Sequence, residues 1–351
     1  MPSEKKTRTV YLDLLRVLAM VGVVGIHVSA KHFVDVPLDS AAWRAMNLWD
    51  GLVRWSVPMF AMVSGALFLN PERDVRTRAI FTKYLPRILL AFAVWSALYA
   101  ALNCGGSLRE FARRFVTGHY HLWFLYMLAG VYLIVPLLRR ITASERLTWY
   151  FLLLSAVFTF AVPDLVVLAQ TLDRTGTLDL TTLVTSVQSY TMFSFTLGFV
   201  PYFVLGYALH ARQLTRRETL VLCALGLAGF VLAPLLNAKY SVMTGYAQVE
   251  FFAYNKFCVL FQTVGVFAAA KAGAAYLGAR AKRVTAALAA CSFGVYLTHP
   301  LLLDALVPAG ALTCGAWAYL TIPLGILAVA AGALVLSALV RCIPWLGKRI
   351  A

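Results

Sequence analysis

Apolar runs long enough to cross about 30 Å of hydrocarbon recur along the whole chain, separated by short polar segments. They lie near 11–30, 48–69, 85–103, 121–138, 147–165, 191–210, 219–236, 250–270, 286–306 and 316–340. Runs of this length predict helices, which satisfy their own backbone groups in lipid. The expected fold is therefore an all-α integral membrane protein, a bundle of about ten transmembrane helices. Pro58, Pro136, Pro201, Pro234 and Pro323 fall inside the runs, where neighbouring helices re-satisfy the backbone groups that proline frees. The longest outer loop, 166–190, is polar, and no internal repeat is visible. Residues 1–351 read as a single transmembrane domain with no separate soluble domain.

Lys and Arg fix the expected orientation. Alternate loops are basic: Lys5 to Arg8, Arg73 to Arg87, Arg139 to Arg146, Arg212 to Arg217, Lys271 to Arg283, and Arg341 to Arg349. With both termini cytoplasmic, about 21 basic residues lie inside and about 7 outside, the latter including Lys31, Arg44, Arg109, Arg113, Arg114, Arg174 and Lys239. An even number of spans follows, and ten fits best.

Composition agrees. Hydrophobic residues make up 61% and charged residues 13% of the 351, against about 45–50% and about 25% in soluble domains. The excess apolar surface faces a lipid bilayer. The net charge of +16 follows the loops and is not gathered on one element, which argues against nucleic acid as a partner. The first run contains Asp13 and Arg16 and exceeds the 7–15 residues of a signal-peptide core. It reads as an uncleaved helix.

Six cysteines lie far apart without CxxC or Cys/His spacing, so neither a disulfide framework nor a metal site is indicated. HExxH, GxSxG and Walker A motifs are absent, as is a GxGxxG placed between a strand and a helix.

Ionisable groups inside spans are costly and mark function by default. Arg16 and His27 are the sharpest pair. At 100° per residue their separation returns to within about 20° of one helix face, and places them roughly 16 Å apart along the axis. Two readings stand. In one, Arg16 snorkels to the interface and pairs with Asp13 while His27 caps the outer end. In the other, both line a passage, the cation gripping an anionic donor and the imidazole taking a proton from an acceptor hydroxyl.

Other outer-half polar groups share two readings of the same kind. His119-Tyr120-His121-Leu122-Trp123 opens the fourth span, either as an aromatic-belt anchor or as a sugar-stacking surface. Two histidines at i, i+2 do not share a helix face, which argues against metal chelation. His299, three residues after Tyr296, lies well inside the ninth span, followed by Asp304. Asp50 and Arg54 have the spacing of a helix ion pair. Glu250 and Lys256 are six apart and expected on different faces, each needing its own partner.

Four segments resemble the membrane acyltransferase-3 family in the right order: Tyr11-Leu12-Asp13-Leu14-Leu15-Arg16 leading to His27, Val57-Pro58-Met59-Phe60 leading to Ser64-Gly65, His121-Leu122-Trp123-Phe124-Leu125, and Ser292 to Pro300. The overall look is close to the enterobacterial common antigen O-acetyltransferase type, which consists of the membrane domain alone. The resemblance implies a ten-helix, multi-pass protein of the bacterial cytoplasmic (inner) membrane. It implies transfer of an acetyl or related acyl group from cytoplasmic acyl-CoA, a substrate and not a bound cofactor, to a hydroxyl of a cell-envelope glycan or glycolipid. His27 then corresponds to the catalytic histidine and Arg16 to a donor-side residue. Of the Arg-x-x-Arg common at the start of the third span only Arg87 matches, Tyr84 replacing the first Arg, with Lys83 beside it as a substitute. Arg73-x-x-Arg76 has the spacing but comes earlier.

The resulting expectation is an O-acyltransferase with acyl-CoA phosphates on Arg16 and Arg87, His27 as general base or acyl carrier, and His121, Trp123, Tyr296 and His299 on the acceptor side. The alternative is a transporter or flippase for a glycan or lipid-linked precursor. It accounts for the spans and the polar interior but not for the Arg16–His27 spacing.

Overall fold

The computed structural model describes residues 9–73, 75–172, 182, 198–307, 313–315, 317–344 and 347–351. The described residues are helical or in turns. In chain order the helices are α1 (Val10–Ala30), α2 (Ala41–Val53), α3 (Ser56–Phe68), α4 (Thr77–Asn103), α5 (Leu108–Thr117), α6 (Trp123–Thr142), α7 (Glu145–Thr171), α8 (Val200–Ala211), α9 (Arg216–Thr244), α10 (Phe257–Gly273), α11 (Ala279–Leu306), α12 (Ala318–Arg341) and the short α13 (Gly347–Ile350). Among the described residues, nine helical stretches are long and apolar enough to cross a membrane, α2 and α3 counting as one. The span expected over 191–210 is described only from Gly198 onward, where α8 stands as a shorter apolar helix. Lys5, Lys6, Arg8, Arg174 and most of the expected loop 166–190 lie outside the described residues. That loop starts later than expected, because α7 runs on through Thr171.

Pro136, Pro234 and Pro323 sit inside uninterrupted helices, whereas beside Pro58, Pro86 and Pro163 the helix departs from regularity where the ring has no N–H to give. Pro58 offers no N–H to the carbonyl of Arg54, and the expected second span breaks there into α2 and α3. The Trp55 Nε1–H bonds the Leu52 carbonyl at 3.0 Å across the break. Ahead of Pro86 the helix widens to a π turn over Ile80–Tyr84, the Leu85 N–H reaching back to the Ile80 carbonyl. The same widening, Ala156–Ala161, precedes Pro163. These are the positions where an inserted residue relieves the clash of the ring with the preceding turn.

α1 lies at the centre. It packs against α2, α3, α10, α11 and α12, and 67% of its apolar window is buried against 22% for α9. The residues expected to line a passage are therefore carried on the helix with the most neighbours. The close crossings use small residues, as membrane helices do without a hydrophobic force between them. A Cβ added at Gly65 would stand 1.7 Å from the Phe203 carbonyl oxygen, and one at Gly206 would stand 2.0 Å from that of Met62. Side-chain amides join the other side: Asn47 Nδ2 donates to the Pro234 carbonyl at 2.9 Å, and Gln262 Nε2 donates to Gly51 at 2.8 Å and Gly229 at 3.1 Å.

Glu250 and Lys256 correct the expectation of separate partners. A 3-10 turn (Glu250–Phe252) and extended chain precede α10, so helical face arithmetic does not apply there. The buried Lys256 ammonium meets Glu250 at 2.8 Å, Asp164 at 3.5 Å and the Pro163 carbonyl at 3.1 Å.

The α3–α8 crossing yields a prediction. Gly65→Ala forces the two backbones apart and lowers stability by about 1–3 kcal/mol, the usual cost of overpacking. Gly273→Ala, with open space around its Cβ position, leaves stability unchanged. Thermal unfolding of the detergent-purified variants checks both, and equal midpoints for the two would contradict the packing account.

Candidate active site

Arg16 and His27 line one cavity of about 460 Å³. The basic loops gather at one end of the bundle, and there the cavity is bounded by Arg16, Arg73 and Arg87. At the opposite end it reaches His27, His121, Trp123 and Tyr254. Between them the wall is largely aromatic, with Phe60, Phe68, Phe124, Tyr132, Phe293 and Tyr296. Both readings of Arg16 hold in part: its guanidinium lies 3.6 Å from Asp13 and also faces the cavity.

At the basic end Arg87 stacks on Phe293, 5.6 Å from the ring centroid. Arg73 arrives from the segment between α3 and α4, which Arg139 of α6 clamps by donating to the carbonyls of Phe68 at 3.1 Å, Arg73 at 3.4 Å and Val75 at 3.5 Å. Lys83 does not line the cavity. It lies in the π turn with its side chain exposed, 5.5 Å from the Tyr84 ring centroid, while Tyr84 itself faces inward.

At the far end the imidazoles gather. The rings of His27 and His299 stack at 5.0 Å with 27° between their planes. His121 meets His299 at 5.5 Å and His119 at 5.1 Å, and Tyr120 stands edge-on to His27 at 5.1 Å. His119 and His121 lie in the turn before α6, not in its helix, and this turn brings their Nδ1 atoms to 3.0 Å. The i, i+2 argument against their meeting therefore fails, although no metal-holding group of His, Cys, Asp and Glu occurs among the described residues.

His299 is placed by the residue after it. Pro300 has no N–H to give the Tyr296 carbonyl four residues earlier. The His299 Nδ1–H takes that carbonyl at 2.8 Å, and Val295 at 3.2 Å. A carbonyl only accepts, so Nδ1 carries the proton and neutral His299 presents a bare Nε2. That Nε2 is buried without a partner, as is Nε2 of His121. Contrary to expectation His299 is not a wall residue. It lies behind His27. Tyr296 lines the cavity but gives its hydroxyl to the His121 carbonyl at 2.5 Å, which fixes the His119–His121 turn.

Three features take a larger part than the sequence reading gave them: the Asp50–Arg54 pair, Tyr254 and Arg73. Asp50 and Arg54 form the expected ion pair, but Asp50 is fully buried, Arg54 is partly buried, and Arg54 lies in the field of His27. The guanidinium sits 4.9 Å from the Phe252 ring centroid, and Tyr254 lies against it. Tyr254 lines the cavity beside Trp123, their ring centroids 6.1 Å apart. Arg73 is the third. An i, i+4 pair reads alike at a surface and in a core, and Tyr254 falls in a stretch that periodicity assigns to a helix.

The model of a family described as an acyltransferase domain matches residues 9–342. No curated protein and no solved structure matches the chain.

The Asp50–Arg54 pair predicts a measurable asymmetry. Arg54→Met strands a buried carboxylate and costs about 3–5 kcal/mol of stability, whereas Asp50→Leu combined with Arg54→Met costs much less. Thermal unfolding of the single and double variants decides. A double variant no better than the single would show that the pair is not what holds this corner.

Proposed function

Since the chain belongs to the acyltransferase-3 family, we propose that this membrane acyltransferase moves an acetyl or related acyl group from acyl-CoA to a hydroxyl of a cell-envelope glycan or glycolipid. The observation that carries the reading is the single cavity with guanidinium groups at one end and imidazoles at the other. On this reading the basic end faces the cytoplasm of a bacterial cell, and both termini lie there.

The chemistry follows the charge. Coenzyme A carries phosphates, which Arg16, Arg73 and Arg87 match at the mouth by charge-assisted hydrogen bonds. The pantetheine arm is slender and largely uncharged, and suits an aromatic-walled passage whose volume falls in the range of small-molecule sites. The thioester then reaches His27. Trp123 and Tyr254 offer ring faces to a sugar, and the acceptor hydroxyl lies between them and His27. As the hydroxyl oxygen attacks the thioester carbonyl, His27 takes its proton, the C–S bond breaks, and the thiolate withdraws toward the basic mouth. His27 must lose that proton before the next turnover.

Membrane vesicles containing the protein, supplied with radiolabelled acetyl-CoA, provide the test. Alkali-labile label should enter the glycan fraction. His27→Ala should reduce incorporation at least 100-fold at equal protein abundance, the lower range of general-base contributions. Label incorporation that persists in His27→Ala would refute the assignment. Arg87→Ala should raise KM for acetyl-CoA about 10-fold with kcat little changed, as expected for the loss of one charge-assisted contact of about 1.5 kcal/mol.

A further inference from the structure

His27 is surrounded by imidazoles that the transfer step does not use. Behind it His299 is stacked at 5.0 Å, and beyond His299 lies His121 at 5.5 Å. His121 in turn is joined to His119 by an Nδ1–Nδ1 contact of 3.0 Å. The series starts at the cavity wall, passes through two residues that are 0% and 1% exposed, and ends on half-buried His119 at the end of the molecule opposite the basic loops. Two buried ring nitrogens in this series, Nε2 of His299 and Nε2 of His121, have no hydrogen-bond partner. A buried polar atom left unpaired in an apolar medium is costly and needs a reason.

We propose that His299, His121 and His119 form a relay that carries the proton taken by His27 to the solvent at the far end. The proposal rests on the acyl-transfer reading above.

Each member is prepared for one hop. His299 holds its Nδ1–H on the Tyr296 carbonyl, so its Nε2 is the only base it offers. It takes the proton from His27 there and passes it to Nε2 of His121, the other unpaired nitrogen, each time through a bridging water, because stacked rings do not aim their in-plane nitrogens at one another. His121 receives at Nε2 and releases from Nδ1 into Nδ1 of His119. His119 then releases from Nε2 to solvent. The balance closes: the acceptor O–H bond breaks, the ester C–O bond forms, the C–S bond breaks, the hydroxyl proton leaves by the histidines, and the thiolate takes a proton from water at the basic mouth.

The surroundings hold the series in place. His27 faces Arg54, from the α2–α3 break, and Tyr120. His121 faces Tyr99 of α4 as well as the other imidazoles. His119 stacks on Tyr99 at 4.2 Å, with Asp304 of α11 and Arg114 of α5 in its field. Burial pushes the His119 imidazole below its ordinary range, Asp304 opposing and Arg114 adding to it. A neutral His119 is a proton acceptor at pH 7. Asp304 itself is tied to Lys31 at 3.1 Å.

The relay is tested in the same vesicles with radiolabelled acetyl-CoA as the probe. His119→Ala and His119→Gln should each lower kcat about 10-fold, with KM for acetyl-CoA unchanged. Added imidazole should restore at least half of the lost rate to His119→Ala, since a diffusible base can take over the last hop. A His119 variant that keeps full rate, or one that stays slow in imidazole, would overturn the relay. If His27→Ala abolishes transfer in that case, the acyl-transfer reading survives and the relay alone falls. A readout on the unaltered protein guards against misfolded variants: kcat plotted against deuterium fraction should bow, because several protons move together. A straight line would count against a series of hops.

Discussion

A proline inside a membrane helix leaves a carbonyl four residues earlier without its N–H, in a solvent that supplies no substitute. In α11 that carbonyl belongs to Tyr296, and the substitute is the Nδ1–H of His299. One bond therefore does two things. It removes an unsatisfied acceptor from the interior, and it fixes which nitrogen of His299 is left bare. The stack on His27 follows from that ring position, and the Tyr296 hydroxyl, one turn below, anchors the His119–His121 turn. The polar end of the cavity is organised around a backbone defect.

The same rule shapes the rest of the bundle. The α2–α3 break, at Arg54–Trp55 ahead of Pro58, has polar groups on both sides: Asp50 and Arg54 before it, Ser64 on the cavity wall after it. The π turn ahead of Pro86 carries Lys83 outward and Tyr84 inward. Regular helix supplies most of the packing surface together with Arg16 and His27 on α1, and the interruptions and turns add Arg73, His121 and Tyr254 to the cavity wall.

That division also decides what could be read from the sequence. Spans and their order were legible because lipid imposes a length on apolar runs. The shared face of Arg16 and His27 was legible because α1 is an uninterrupted helix from Val10 to Ala30, so 100° per residue holds between them. Periodicity failed wherever the helix was interrupted. Glu250 and Lys256 were assigned to one helix and different faces, yet they meet across a 3-10 turn. His119 and His121 were judged by helical spacing, yet they lie in a turn. Lys83 was chosen for its place in the sequence, and a π turn rotates it away. The His-Pro dipeptide at 299–300 was the one local signal left unread: a proline with a hydrogen-bond donor just before it announces where that donor will go.

The aromatic wall between the two ends of the cavity has an electrical consequence. A bilayer that stores a voltage is short-circuited by any water-filled path, and this protein encloses a cavity that extends from its arginines to its histidines. Phe60, Phe68, Phe124 and Phe293 line it with apolar rings, and an ion among apolar groups loses hydration that they do not replace. An uncharged group incurs no such cost. An aromatic lining thus opposes the leakage of ions while leaving the way open to uncharged groups.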